Sequence, residues 1–314
     1  MITVMPQRPA IILDCDPGHD DAMAIVVAAH TTDLLGITAV AGNAPLDRTE
    51  YNARVIRDLL DLDVEVHAGA ERPLVAEPRF AAFIHGESGL HGADLPPPTR
   101  PLDGTNAAAF IVDTCRANPG TWLVPVGPLT NIAVALRSDP GLRDHVAGIS
   151  LMGGGTYGNR SAAAEFNIWA DPHAAAIVFE SGIPVTMAGL DVTHQFLVTS
   201  TRVEEMRACG GPFAELMAEL FEFFVAAYLD RHDRLTGAAL HDPLAVLAVA
   251  RPAFFTSSMR HVVVETTGEH TAGMTVIDRR DVRTRPDPNT TVLETVDDAA
   301  AWAIVLDALR AAPN

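Results

Sequence analysis

An open, mostly parallel β-sheet flanked by helices on both faces is the fold class this sequence predicts. Three observations lead there. Apolar runs of strand length recur along the chain, stretches with helical periodicity separate them, and glycine-rich or carboxylate-rich turns follow the runs. Strand–helix alternation of this kind places helices on the faces of a sheet whose strands run the same way. Strands are expected at Ala10–Cys15, Leu34–Ala41, Val64–Ala68, Thr121–Val126, Gly148–Met152 and Pro184–Ala188. Helices are expected near Asp20–His30, Arg48–Leu60, Asn106–Arg116, Leu129–Leu136 and Pro172–Glu180.

The rhythm breaks between Gly69 and Gly104, a long segment with Pro96-Pro97-Pro98 and the run His85-Gly86-Glu87-Ser88-Gly89-Leu90-His91-Gly92. Long loops inside compact domains tend to carry function, and this one has the residues for it. After Gly189 longer helices are expected, near Arg202–Cys209, Phe213–Arg234 and Asp242–Val249. Short strands follow near His261–Glu265, Met274–Asp278 and Thr291–Glu294, then a closing helix at Asp297–Arg310. With no internal repeat and no linker, one domain over residues 1–314 is the expectation.

Composition removes several functions. The chain of 314 residues has a net charge of −18, and its 22 basic residues are all arginine. Without lysine there is no Schiff base, no P-loop lysine and no Ser–Lys dyad. The acidic balance disfavours nucleic acid and anionic membrane as partners. No arginine cluster flanks the motifs below, so a neutral polar substrate is expected rather than a polyanion. Three cysteines without zinc-type spacing suit a reducing compartment, and no apolar stretch reaches membrane-spanning length. No basic region followed by a hydrophobic signal segment opens the chain. A cytoplasmic location is the expectation.

The chemistry starts at Asp14-Cys15-Asp16-Pro17-Gly18-His19-Asp20-Asp21, directly after the apolar run Ala10–Leu13. Four buried carboxylates so close together are costly unless a cation neutralises them, and oxygen-only ligands favour a hard ion such as Ca²⁺ or Mg²⁺. Asp20 and Asp21 are also explained by a helix N-terminus, where acids are favoured. Asp14 and Asp16 are not, since alternate residues share one side of the strand end.

A second constellation is Gly153-Gly154-Gly155 with Glu165-Phe166-Asn167, which either closes on a polyol or is simply a flexible loop. A third is His241-Asp242-Pro243, for which a capped helix start is a sufficient structural explanation. Asn43 and Gly127-Pro128-Leu129-Thr130-Asn131 also follow predicted strands. In such folds the carboxyl ends of the strands line one crevice.

Taken in order, these motifs resemble the calcium-dependent, inosine–uridine preferring nucleoside hydrolases. The resemblance rests on Asp14–Asp21, Val40-Ala41-Gly42-Asn43, His85–Leu90, Leu129–Ala133, Met152-Gly153-Gly154, Ala164–Asn167 and His241-Asp242-Pro243. It implies the family's Rossmann-like fold and hydrolysis of the N-ribosidic bond of a ribonucleoside to ribose and free base. It further implies Ca²⁺ held by the side chains of Asp16, Asp21 and Asp242 and the carbonyl of Val126, with the ribose 2′- and 3′-hydroxyls completing the shell. Asp20, Asn43 and Asn167 would grip those hydroxyls, Glu165 and Asn159 the 5′-hydroxyl, and Met152 and Phe166 would lie against the nucleoside. Asp16 would take the proton of metal-bound water.

His241 would protonate the leaving base, with His85 on the long loop as a second candidate. Tyr228, Arg231 and His232 are possible base contacts, although a solvated helix face with one aromatic in the core explains them equally well. His91 departs from the small polar residue common in relatives. A homodimer or homotetramer and a slight preference for pyrimidine or broad ribonucleosides follow by the same resemblance. Two other readings remain: a non-catalytic ribose or nucleoside binder on this scaffold, and a Mg²⁺-dependent Asp-x-Asp phosphohydrolase. The latter needs a phosphate-binding lysine or arginine beside the motif.

Overall fold

A computed structural model describes residues 8–231 and 235–313; His232 lies outside them. Twelve strands are described: β1 (Ala10–Cys15), β2 (Asp33–Ala39), β3 (Glu65–Ala68), β4 (Thr121–Pro125), β5 (Val146–Met152), β6 (Val185–Ala188), β7 (Leu197–Val198), β8 (Ala238–Ala239), β9 (Phe255–Arg260), β10 (Val262–Val264), β11 (Thr275–Ile277) and β12 (Thr290–Val296). The helices are α1 (His19–Thr31), α2 (Leu46–Leu59), α3 (Ala82–His85), α4 (Ala107–Ala117), α5 (Thr130–Ser138), α6 (Phe166–Ala170), α7 (Pro172–Phe179), α8 (Leu190–Thr193), α9 (Ser200–Arg207), α10 (Pro212–Leu229), α11 (Pro243–Ala250) and α12 (Asp298–Ala311).

Eight strands form the central sheet in the order β3-β2-β1-β4-β5-β6-β12-β9. Pairing is parallel throughout except at β9, which runs antiparallel to β12. Both faces are covered, which is why the strands read as continuous apolar runs. In β1, Ile11, Leu13 and Cys15 face a core shared with α1, α10, α11 and α12, while Ile12 faces the core of α4, α5 and α7. The order reverses between β1 and β4, and the crevice beyond the carboxyl ends of those strands is where such sheets bind ligands.

Some expected boundaries move. The second strand ends at Ala39 rather than Ala41, because the chain already turns at Val40–Gly42 towards Asn43. The expected strands near His261–Glu265 and Met274–Asp278 form as β10 and β11. They pair only with each other, as a hairpin against α7, and do not join the sheet. β9 was not expected: Phe-Thr-Ser-Ser-Met-Arg is mostly polar, as suits an edge strand open to solvent on one side. The Gly69–Gly104 segment stays irregular apart from the single turn of α3, which carries His85.

Candidate active site

At the end of β1 the chain turns through Pro17-Gly18, and the first turn of α1 carries Asp20 and Asp21 over the strand end. Asp21 reaches back, accepting the Asp16 and Gly18 N–H groups, each at 3.0 Å. Asp16 accepts the Asn43 N–H at 2.6 Å. Its carboxylate lies between two bare backbone positions. A β-carbon at Gly42 would stand 2.1 Å from one oxygen, and one at Gly127 would stand 2.4 Å from the other. Asp242 enters from the start of α11. Asp20, Asp21 and Asp242, all buried, each place one oxygen within 4.8 Å of the others.

Asp16 stands next to this trio, tied to it by its backbone N–H, which donates to Asp21 Oδ1. Asp20, expected among the hydroxyl-binding residues, thus belongs to the converging trio, and Asp16, expected among the ligands, flanks it. Asp14 is elsewhere engaged: its Oδ1 accepts from Thr38 at 2.6 Å and from Asn131 at 2.7 Å. Asn131 also donates to the Ala39 carbonyl and accepts the Ala70 N–H. The Leu129-Thr130-Asn131 motif therefore braces β1, β2 and the loop after β3.

Whether a cation fits can be tested on the acids themselves. Burial, reinforced by the neighbouring carboxylates, pushes Asp16, Asp20 and Asp242 well above the ordinary carboxylate range; Asp21 also rises, mainly through burial. Oδ1 of Asp16 and Oδ1 of Asp20 are buried without a hydrogen-bond partner among the described residues. Clustered, acceptor-only oxygens in want of partners are the donor set of a hard cation. The Val126 carbonyl lines the same cavity and accepts Asn167 Nδ2 at 2.8 Å, which leaves its second lone pair. The residues fit a metal.

The cavity over this floor measures about 280 Å³. Asp20, Asn43, His85, Val126, Met152, Asn159, Glu165, Phe166, Asn167, Tyr228, His241 and Asp242 all line it, whereas Asp16 and Asp21 do not. Asn43 Nδ2 donates to Asp21 at 3.0 Å, and Asn167 Nδ2 also donates to the Met152 carbonyl at 3.1 Å. Glu165 caps α6. Its oxygens accept the N–H groups of Asn167, Ile168 and Gly154, and the last requires the left-handed φ of 72° that glycine adopts freely.

Burial outweighs those bonds and raises the Glu165 carboxyl to about 7. The folded state then holds this proton more tightly than the unfolded chain does. Stability should fall as pH rises from about 4.5 to about 7 and level off above. Glu165→Gln should flatten that slope in urea titrations across this window; an unchanged slope would remove Glu165 as its source.

On the opposite wall, His241 Nδ1 meets Thr193 Oγ1 at 2.8 Å and His241 Nε2 meets the Tyr228 hydroxyl at 3.1 Å. Tyr228 is buried, as an aromatic in the core would be, and it also lines the cavity beside His241, whereas Arg231 is exposed. His85 turns its Nδ1 to His19 Nδ1 at 3.1 Å, and His19 Nε2 donates to the His91 carbonyl at 2.8 Å. His19 also stacks on Phe224 with ring centres 5.0 Å apart. Burial lowers His19 to about 4 and takes His85 well below its ordinary value, so both rings are neutral near pH 7. Because the His91 contribution is a backbone carbonyl, the side-chain type there is of no consequence for this bond.

His19 and Thr193 were not singled out in the sequence. His19 lies inside the acidic motif, where a polar residue buried beside four acids was the available signal. In the same cavity, the guanidinium groups of Arg160 and Arg231 lie 4.4 and 5.2 Å from the centre of the Phe83 ring. Arg79 stacks on Trp169 at 3.8 Å. The expectation of no arginine cluster is therefore corrected: three loops far apart in sequence bring these arginines together.

A family model for the inosine–uridine preferring nucleoside hydrolases matches residues 11–303. The pyrimidine-specific ribonucleoside hydrolase RihA of Salmonella typhimurium is 46% identical over 294 residues, covering 91% of this chain and 94% of that protein. RihA of Escherichia coli is 44% identical over 306 residues, covering 96% and 98%. The purine-preferring ribonucleoside hydrolase from Gardnerella vaginalis superposes with a TM-score of 0.90 at 34% identity, covering 96% of this chain and 98% of that one. The acid cluster at the β1–β4 switch point, the histidines above it and the family match over nearly the whole length agree: the chain belongs to the inosine–uridine preferring nucleoside hydrolase family and is a ribonucleoside hydrolase.

Proposed function

We propose that this enzyme hydrolyses pyrimidine ribonucleosides in preference to purine ones, with Ca²⁺ as cofactor and Asp16 and His241 as its base and acid. The carrying observation is the convergence of Asp20, Asp21 and Asp242 beneath a cavity that Asp20 and Asp242 line together with the Tyr228–His241 pair. The pyrimidine preference leans on relatives at 44–46% identity that are pyrimidine-specific, against a purine-preferring one at 34%.

Asp16, Asp21 and Asp242 with the Val126 carbonyl would hold the ion, and Asp20 lies close enough to share that role. A Ca²⁺ ion held there would supply a Lewis acid that lowers the pKa of adjacent water. Asp16, held by the Asn43 N–H, has an unpartnered oxygen placed to accept a proton from the attacking water. Asp20, Asn43 and Asn167 orient the ribose diol, and Asn159 and Glu165 face its 5′ side. As the C1′–N bond stretches, positive charge grows on the sugar ring, and the surrounding carboxylates favour that state over the ground state. His241 delivers a proton to the departing base, and Tyr228 holds the imidazole. The same reading has the chain acting as one domain, in the cytoplasm, as a homodimer or homotetramer.

A panel of uridine, cytidine, inosine and 2′-deoxyuridine tests this. Uridine and cytidine should be cleaved faster than inosine, and chelation should stop all turnover until calcium is restored. The 2′-deoxy substrate should react about 10²-fold more slowly or worse, since the site's polar groups then lack a partner. Binding without base release from any ribonucleoside would instead favour the non-catalytic reading.

A further inference from the structure

We propose that Asp191 is a positioning residue for the 5′ side of the sugar. Through Thr156 it sets where Asn159 stands, and with that how sharply the enzyme demands a 5′-hydroxyl. The inference rests on the proposed pose, in which Asn159 faces that hydroxyl, and names the group that holds Asn159 there.

Asn159 lies in the arch between β5 and α6, residues 156–164, and lines the cavity. Its Oδ1 accepts the Phe166 N–H at 3.0 Å. With the oxygen engaged, the Nδ2 donors remain for a ligand, and an acceptor such as a sugar oxygen suits them.

The arch is braced within itself. Gly158 N–H donates to the Ala162 carbonyl, Arg160 N–H to the Ala164 carbonyl, and the Ser161 hydroxyl accepts the N–H groups of Ala163 and Ala164. A body of this kind follows its footings. Among the described residues, the hydrogen bonds that fasten it elsewhere go to residues 190–194 and to Phe166.

Asp191, in α8, makes the firmest of these footings. One carboxylate oxygen accepts the Thr156 N–H at 2.8 Å, and the other accepts the Thr156 hydroxyl. Paired charge-assisted bonds to one residue fix direction as well as distance. The Tyr157 hydroxyl adds a tie to the same helix, donating to the Leu190 carbonyl at 3.2 Å. Arg279 stands 3.8 Å from the Asp191 carboxylate, which leaves Thr156 as its close neighbour. α8 itself is a fixed base: Leu190 N–H donates to the Gly154 carbonyl at 2.8 Å, and Leu190, Val192 and Thr193 are buried. With the Asp191 grip removed, the arch can turn on the run Gly153-Gly154-Gly155 that precedes it.

The test compares kcat/KM for uridine and 5′-deoxyuridine with the calcium-loaded enzyme. The parent should favour uridine by about 10²-fold, since the deoxy substrate leaves the site's polar groups unpaired. Asp191→Ala should cut that preference to about tenfold or less, by slowing uridine and leaving 5′-deoxyuridine near the parent value. Thr156→Val should act in the same direction. Asp191→Asn should keep most of the preference, because its oxygen still accepts the N–H and its amide donates to the hydroxyl. Asn159→Ala should lower it at least as far as Asp191→Ala, and combining the two should lower it no further. A ratio between substrates is indifferent to the amount of folded enzyme.

Two results overturn the inference and spare the pose: a preference unchanged in Asp191→Ala and Thr156→Val, or one lower in the double variant than in Asn159→Ala. The second would mean that Asp191 acts on the site without Asn159. A parent enzyme that takes both substrates equally refutes the pose and the inference together. Hydrolysis of uridine in any of these cases leaves the ribonucleoside hydrolase reading standing.

Discussion

Asp16→Ala should lower turnover on uridine by about 10³-fold or more, because it removes the proposed proton acceptor and one neighbour of the ion together. The same change should not unfold the protein. In the metal-free state Asp16 is one of several buried carboxylates that raise one another's pKa, and its removal relieves that repulsion. Thermal melts of metal-free Asp16→Ala should therefore match or exceed those of the parent, while the rise in melting temperature on adding calcium should shrink. Turnover within tenfold of the parent would take Asp16 out of the base role. A drop in metal-free stability would show that the repulsion argument has the wrong sign.

His241→Ala should divide substrates by leaving group. With uridine, whose base departs poorly unless protonated, kcat should fall by about 10²–10³-fold. With a nitrophenyl riboside, whose leaving group needs no proton, the loss should stay within about tenfold. The local geometry makes the comparison clean. Thr193 and Tyr228 hold the two ring nitrogens of His241 at 2.8 and 3.1 Å, and its removal leaves the acid cluster on the floor intact. Equal losses on both substrates would assign His241 to positioning and return attention to His85.

What was legible in the sequence was whatever repeats or clusters. β1, β4, β5 and β6 lie within buried apolar runs, and their period gave them away. Asp16, Asp20, Asp21, Asn43, Asn167, His241 and Asp242 follow strand ends or open helices, so the topology alone gathers them. The hairpin β10–β11 and the edge strand β9 show the limit: alternation marks a strand but not the sheet it joins, and β9 is too polar to mark itself. The cluster around Phe83 was hidden for a different reason. Phe83, Arg160 and Arg231 sit on three loops or helix ends without periodicity, and their meeting is a property of tertiary packing. His19 and the brace made by Asn131 were hidden by their own motifs, where a structural role looks the same as a chemical one.

The clustered acids come from distant parts of the chain: Asp16, Asp20 and Asp21 from the end of β1 and the start of α1, Asp242 from the start of α11, which packs on α1. A nascent or truncated polypeptide ending before α11 has three of these carboxylates and not the fourth. The four carboxylates therefore meet only once about three quarters of the chain has been made and α11 has docked on α1. A cation held by all four would therefore fasten only molecules in which the start of α11 has found the first turn of α1.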